Sequence, residues 1–250
     1  MAEEEEEIGE RLRRICGILK RAYGEKAVEP RNPVEVLVRT ILSQNTNEKN
    51  TEEAFKSLTT RFKYEELLAA SEEEIADAIR KGGLGRIKAR RLKTALSALK
   101  NASMQRSGMQ RSQRNGVDKG DFNFHFLEDM EVEEAREFLT SIPGIGQKTA
   151  SCVLCFAFQK KAFPVDTHIR RIFSRVLGIQ SPREIARLVE RSIRSSKIVG
   201  FHLNLIEHGR RVCKPQRPKC EICVLRELCE WWKSSKGGVD DKKIMELSLR

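Results

Sequence analysis

Apolar side chains recur along this chain every three or four residues and hardly anywhere every second residue. Ile8, Leu12, Ile15, Leu19 and Tyr23 mark one such stripe, which predicts an amphipathic helix over 7–24. Asn32-Pro33 supplies a cap and a first-turn proline, with Glu35 at the capping-box position. Val34, Leu37, Val38, Ile41 and Leu42 then fill the apolar face of the helix that starts there. The helical pattern continues over 48–61 and 64–70. Ser71 with Glu74 is another capping box, opening a short helix that stops at Gly82-Gly83. A basic helix over 86–100 follows, carrying Arg86, Lys88, Arg90, Arg91 and Lys93. Further helices are expected over about 131–141, 147–159, 167–177, 182–194 and 199–211. Ser181-Pro182 with Glu184 marks one start, and Gly178 caps the helix before it. The expected fold class is all-α.

Three stretches depart from this rhythm. Residues 101–120 repeat MQRS at a five-residue interval, are rich in Ser, Gln, Arg and Gly, and show no apolar face, so the composition predicts a flexible insert. FNFHF at 122–126 alternates and reads as a docking segment rather than a strand, because no partner strand is evident. The tail beyond Trp232 is polar and broken by glycine, and is expected to be loose.

Composition narrows the function. The formal charge is +11 despite five consecutive glutamates at Glu3 to Glu7, so the rest of the chain is more basic still. A balance of this size favours a polyanionic partner, for which nucleic acid is the common choice. Two Trp, two Tyr and eleven Phe are too few for a platform that stacks single-stranded bases, which points to duplex binding through the backbone. No run of apolar residues is long enough to span a bilayer, so no membrane association is expected. The N-terminus is acidic where a secretory leader is basic and then apolar. The expected location is the cytoplasm of a prokaryote or the nucleus of a eukaryote.

Candidate chemistry gathers in two places. Ser141-Ile-Pro-Gly-Ile-Gly-Gln-Lys-Thr-Ala150 joins two expected helices by a turn whose Gly144 and Gly146 let the backbone approach a ligand closely. N–H groups at the start of the second helix then suit a phosphate, although an ordinary turn between helices has the same look. Lys148 falls in the first turn of that helix, where the dipole disfavours a cation; an amine that gives up its proton is a nucleophile able to form Schiff bases, while by the residues alone a solvated, phosphate-binding lysine fits better. Further on comes Phe163-Pro-Val-Asp-Thr-His168. Asp166 suits an N-cap and also a carboxylate that serves a cationic sugar or takes a proton. His168 is read either as a phosphate contact or as packing.

Seven cysteines in a chain expected to be intracellular argue for metal or catalysis before disulfides. Cys213-x6-Cys220-x2-Cys223-x5-Cys229 provides four thiolates, enough for zinc or for a [4Fe–4S] cluster. Only the middle pair has the short spacing usual for zinc. Cys152 and Cys155 lie on one helical face among Val153, Leu154 and Phe156 and read as core, as does Cys16.

SIPGIGQKTA followed by FPVDTHIRRI resembles the helix-hairpin-helix, Gly-Pro-Asp DNA glycosylases of the endonuclease III family, over roughly residues 8–232. The resemblance implies that Lys148 attacks the sugar and Asp166 assists, giving a bifunctional glycosylase and lyase. It implies a [4Fe–4S] cluster on Cys213, Cys220, Cys223 and Cys229, with Lys214, Arg217 and Lys219 held toward DNA. It also implies that Gln44, in Ile41-Leu-Ser-Gln-Asn-Thr46, fills the space left by an extruded nucleotide, and that Leu84 is a second, apolar wedge. Asn45 departs from the alanine or glutamine frequent in relatives, which leaves the lesion open. By the residues alone, Gln44 fits a helix cap and Leu84 a core position.

The expected architecture is two helical domains flanking a DNA cleft. An N-terminal helix (1–30) would join a C-terminal domain (161–232) bearing the iron–sulfur loop, while a helical barrel (31–160) would end in the hairpin; 233–250 would be tail. The expected partner is double-stranded DNA with a damaged base or abasic site, bound by a monomer, and the expected substrate an oxidised pyrimidine. Alternatives are a glycosylase for mismatched, deaminated or methylated pyrimidines, and a non-catalytic DNA-binding or redox protein.

Overall fold

The computed structural model describes residues 2–110 and 124–235. Among these the chain forms helices joined by turns, with no strand. In chain order the α-helices are α1 (Ala2–Tyr23), α2 (Pro33–Leu42), α3 (Glu48–Arg61), α4 (Glu66–Ala69), α5 (Glu72–Ala78), α6 (Gly85–Gln110), α7 (Val132–Ser141), α8 (Gln147–Phe158), α9 (Thr167–Leu177), α10 (Pro182–Ser192), α11 (Ser195–Arg211) and α12 (Glu230–Ser235). No described helix is long and apolar enough to cross a membrane.

Local chemistry sets most of the boundaries. The Asn32 side chain accepts from the Val34 and Glu35 amides at the head of α2. Glu35 does not complete a capping box there; its carboxylate pairs instead with Arg39, one turn along. The Ser71–Glu74 box at α5 is reciprocal, each side chain bonding the other's backbone N–H. Ser181 caps α10 with Pro182 in its first turn, and Gly178 closes α9 in the left-handed conformation.

The chain divides into two compact units, Met1–Val28 with Phe163–Arg250, and Glu29–Ala162. In the second, α2 packs on α8 and α5 on α6. Its core runs from Val34 through Leu37, Ile41, Leu58, Ile75, Leu92, Leu96, Leu139 and Val153 to Ala162. Cys152 and Cys155 are buried within α8. In the first unit, α1 lies against α10 and α11 and buries Leu12, Ile15 and Leu19, while Phe163 stacks on Phe201. Each such side chain, fully withdrawn from water, contributes about 1.5–3 kcal/mol before the entropy of ordering it is subtracted.

Several expectations shift. The helix expected over 86–100 continues to Gln110, so the first half of the 101–120 stretch is helical and not a loop; 111–123 lie outside the described residues. No proline interrupts 101–110, and the Arg106 guanidinium sits 5.1 Å from the centre of the Phe126 ring, a tertiary contact that sequence periodicity does not register. FNFHF becomes a short 3-10 turn over His125–Leu127, with Phe124 fully buried, whereas Phe122 and Asn123 are outside the described residues. Helix α1 begins at Ala2, not near residue 7, because acidic residues suit a helix N-terminus and Glu5 reaches Arg187 and Arg191 at 2.9 and 2.7 Å. At the other end α12 carries helix through Ser235, and 236–250 are outside the described residues.

Candidate functional site

The hairpin between α7 and α8 is built on two buried isoleucines. Ile142 and Ile145 turn inward, and the Ile145 amide bonds the Ile142 carbonyl at 3.0 Å, which leaves Pro143 and Gly146 exposed at the tip. Gly144 has φ +93°, a backbone only glycine adopts without strain, and a Cβ there would meet Arg91 Cγ at 2.7 Å. Gly146 is the N-cap of α8 and offers no capping side chain, so no side-chain oxygen from the cap takes up the first-turn amides. A Cβ at Gly146 would meet nothing within 4 Å. The first turn of α8 holds no acidic residue. Lys148 is its second residue and is half-buried, its neighbour Thr149 buried. An amine is thus held on rigid helix beside a ready anion site.

Gln44 and Leu84 stand on two turns of the same unit. Gln44 follows α2, half-buried, and its Oε1 accepts from Arg91 at 2.5 Å. Asn45 has φ +52°. Leu84 has φ +53° and is 49% exposed, as is Ile87 one turn along, so the core position that its residue type suggested is not where it lies. Lys88, by contrast, is 1% exposed and donates to the Leu42 and Gly82 carbonyls, each at 2.7 Å. Burial, with Arg91 adding to it, lowers its pKa. Sequence reading named it among the basic residues of this helix without setting it apart. The missed signal is its place on the stripe of Leu92, Ala95 and Leu99, all buried, which makes it the one charge on an apolar face.

In the other unit, Asp166 is the N-cap of α9 and accepts from the Ile169 amide at 2.9 Å. His168 is half-buried against Gly209, and Arg171 donates to its Nδ1 at 3.0 Å. Burial lowers the His168 pKa, aided by Arg171 and Arg210 and opposed by Asp166. Its ring is therefore engaged by the protein.

Helix α9 also grips the cysteine loop. Arg171 donates to the Cys213 carbonyl at 2.9 Å and to that of Gly209 at 3.0 Å. Arg175 holds the Lys214 and Pro215 carbonyls at 2.7 and 2.9 Å and lies 3.5 Å from Cys213 Sγ. His208, fully buried, faces Cys223 Sγ at 3.7 Å through Nε2 and bonds Tyr23 through Nδ1 at 2.8 Å. No three of the described His, Cys, Asp or Glu side chains close on a single metal ion. The sulfurs of Cys213, Cys220 and Cys229 are nonetheless near enough to Cys223 to add to the rise in its pKa. Burial first, then the neighbouring sulfurs, pushes Cys223 up to about 11 and Cys220 and Cys229 upward. Four soft donors that repel as thiolates and sit largely out of water match the chemistry of an iron–sulfur group, which takes all four deprotonated. Lys214, Arg217 and Lys219 lie on the same loop, all three exposed to solvent.

Residues 38–195 match the HhH-GPD superfamily of base excision DNA repair proteins, and residues 213–229 match the iron–sulfur binding domain of endonuclease III. Endonuclease III of Sulfolobus acidocaldarius is 34% identical across 81% of this chain and 83% of its own length. That of Thermotoga maritima is 32% identical, with 85% and 92% covered. Among solved structures, a trapped endonuclease III–DNA covalent intermediate superposes with a TM-score of 0.72 at 25% identity, covering 91% of this chain and 98% of that one.

Proposed function

Because the chain belongs to the HhH-GPD superfamily of base excision DNA repair proteins, we propose that it excises oxidised pyrimidines from duplex DNA with Lys148 as the nucleophile. The protein is a DNA glycosylase with abasic-site lyase activity and a [4Fe–4S] cluster, which we assign to Cys213, Cys220, Cys223 and Cys229. The substrate and the residue roles are our reading. Lys148 in the first turn of α8, directly after an uncapped glycine hairpin, is the observation that carries it.

The hairpin amides receive a DNA phosphate through Gly144 and Gly146, and the damaged nucleotide leaves the stack. Lys148 Nζ, having given up a proton, attacks C1′ and the C1′–base bond breaks, with the base departing as it gains a proton. Ring opening then yields an imine between Nζ and C1′. Loss of a C2′ proton expels the 3′ phosphate, so the strand is cut by β-elimination, and water hydrolyses the imine to free the lysine. Asp166 offsets the positive charge that develops on the sugar and relays protons. Gln44 occupies the vacated space and Leu84 parts the neighbouring step. The exposure of Leu84 on a left-handed backbone supports this over burial in a core. When bound, the cluster fixes the loop that presents Lys214, Arg217 and Lys219 to the phosphate backbone. His168 orders the start of α9, close to the bound strand. The enzyme works as a monomer wherever the DNA is, in prokaryotic cytoplasm or a eukaryotic nucleus.

The test is a duplex carrying one thymine glycol, mixed with the protein in EDTA and borohydride. The expected result is a covalent protein–DNA band that Lys148→Ala loses. A band only on an abasic duplex would retain the lyase and overturn the oxidised-pyrimidine substrate. An undiminished band with Lys148→Ala would remove Lys148 from the chemistry.

A further inference from the structure

Two short turns in the Glu29–Ala162 unit carry the residues assigned to strand separation, and both leave the ordinary backbone regions. Asn45 beside Gln44 has φ +52°, and Leu84 has φ +53°. A side chain in this region is disfavoured and persists only where its surroundings fix it. Each turn follows directly on a carbonyl that ends an element: Leu42 closes α2, and Gly82 closes the 3-10 turn over Arg80–Gly82. One buried ammonium bonds both carbonyls.

That ammonium is unusual. Among the described residues Lys88 pairs with no carboxylate, although it is 1% exposed. A buried charge is tolerated only when hydrogen-bonded, and carbonyls at helix ends carry the partial negative charge that favours a cation. Stability alone is served more simply by an apolar residue at this point of the stripe. A lysine reaching from α6 does something an apolar residue does not: it fixes the distance between the two carbonyls from which the wedge turns spring. Arg91, one turn along α6, adds a second tie by holding Gln44 Oε1 while its stem packs under Gly144 of the hairpin.

We infer that Lys88 is a positioning residue for nucleotide extrusion, holding the Gln44 and Leu84 turns at one spacing so that both side chains enter the duplex together. The inference rests on the wedge roles given to Gln44 and Leu84 above. It assigns Lys88 no contact with DNA.

Separating strands matters only where there is a partner strand. The measurement is therefore the single-turnover rate of borohydride trapping on an abasic site, in a duplex and in the same oligonucleotide single-stranded. Lys88→Met should lower the duplex rate relative to the single-strand rate on the order of tenfold to a hundredfold, the scale of a small misplacement transmitted from outside the chemistry. Gln44→Ala with Leu84→Ala should lower the same ratio, and adding Lys88→Met to that pair should lower it no further. A merely structural lysine would shift the melting temperature and both rates alike, leaving the ratio at the wild-type value, and that result would overturn the inference. An additional fall in the triple variant would also overturn it, since Lys88 would then act apart from the wedges. If the Gln44 and Leu84 pair leaves the ratio unchanged, the wedge reading itself fails and the role of Lys88 goes with it. Should Lys88→Met not fold, Lys88→Gln, which keeps a neutral donor, carries the same comparison.

Discussion

Asp166 does two jobs that one substitution can separate. As the N-cap of α9 it accepts from Ile169, and asparagine caps equally well. Asp166→Asn should therefore leave the melting temperature nearly unchanged while the rate of trapping falls by about 10²- to 10⁴-fold, the usual scale of a missing proton-transfer group. Asp166→Ala should add a stability loss of about 1 kcal/mol, read by denaturant unfolding. If Asn keeps full activity, the carboxylate is only a cap. His168 makes a second prediction. Burial, Arg171 and Arg210 hold its pKa below the ordinary 6.5, against Asp166. The unfolded chain then binds that proton more readily, so stability present above about pH 6.5 is lost as the pH falls through the folded value. His168→Gln should flatten the decline in melting temperature between about pH 6.5 and 5.

Among the elements, the two hairpin glycines predict opposite outcomes. Gly144 combines φ +93° with a contact that any Cβ would make against Arg91, so Gly144→Ala should cost about 1–3 kcal/mol of stability and disturb Gln44 through Arg91. Gly146 has ordinary extended backbone and open space around it. Gly146→Ala should leave the stability within about 0.5 kcal/mol of wild type while weakening duplex binding, because the new methyl stands where a phosphate would approach. Melting curves and a binding titration on both variants decide this. Equal DNA affinity for Gly146→Ala would mean that the hairpin is only a turn. The elements also show why some of the site was legible. Asn32, Ser71, Ser181 and Gly178 act on amides or carbonyls within a few residues, so each could be assigned from its neighbours in sequence. The extension of α6 depends in part on Arg106 lying over Phe126, about twenty residues away, and no local pattern contains it.

For the molecule as a whole, charge and cluster make separate predictions. With a formal charge of +11, duplex affinity should fall steeply with salt. Replacing Lys214, Arg217 and Lys219 by alanine should flatten the log–log slope by about 0.9 for each phosphate that these side chains neutralise in the wild type. An unchanged slope would take that loop off the DNA. Removing the iron should loosen residues 213–229 in hydrogen exchange, though Arg171 and Arg175 still hold the carbonyls of Cys213, Lys214 and Pro215. What the sequence determined by itself was helix content, most helix ends, the glycine hairpin with Lys148, Asp166 as a cap, and the crowding of four cysteines into one short loop. Each of these is written in residues close together along the chain, where backbone hydrogen bonding and short spacings act. Tertiary structure alone decided that Leu84 is exposed and Lys88 buried, one helical turn apart in the same basic segment. Which of two charges or two leucines meets water depends on what packs over that face, and for Lys88 it is the ends of α2 and the Gly82 turn, 46 and 6 residues away.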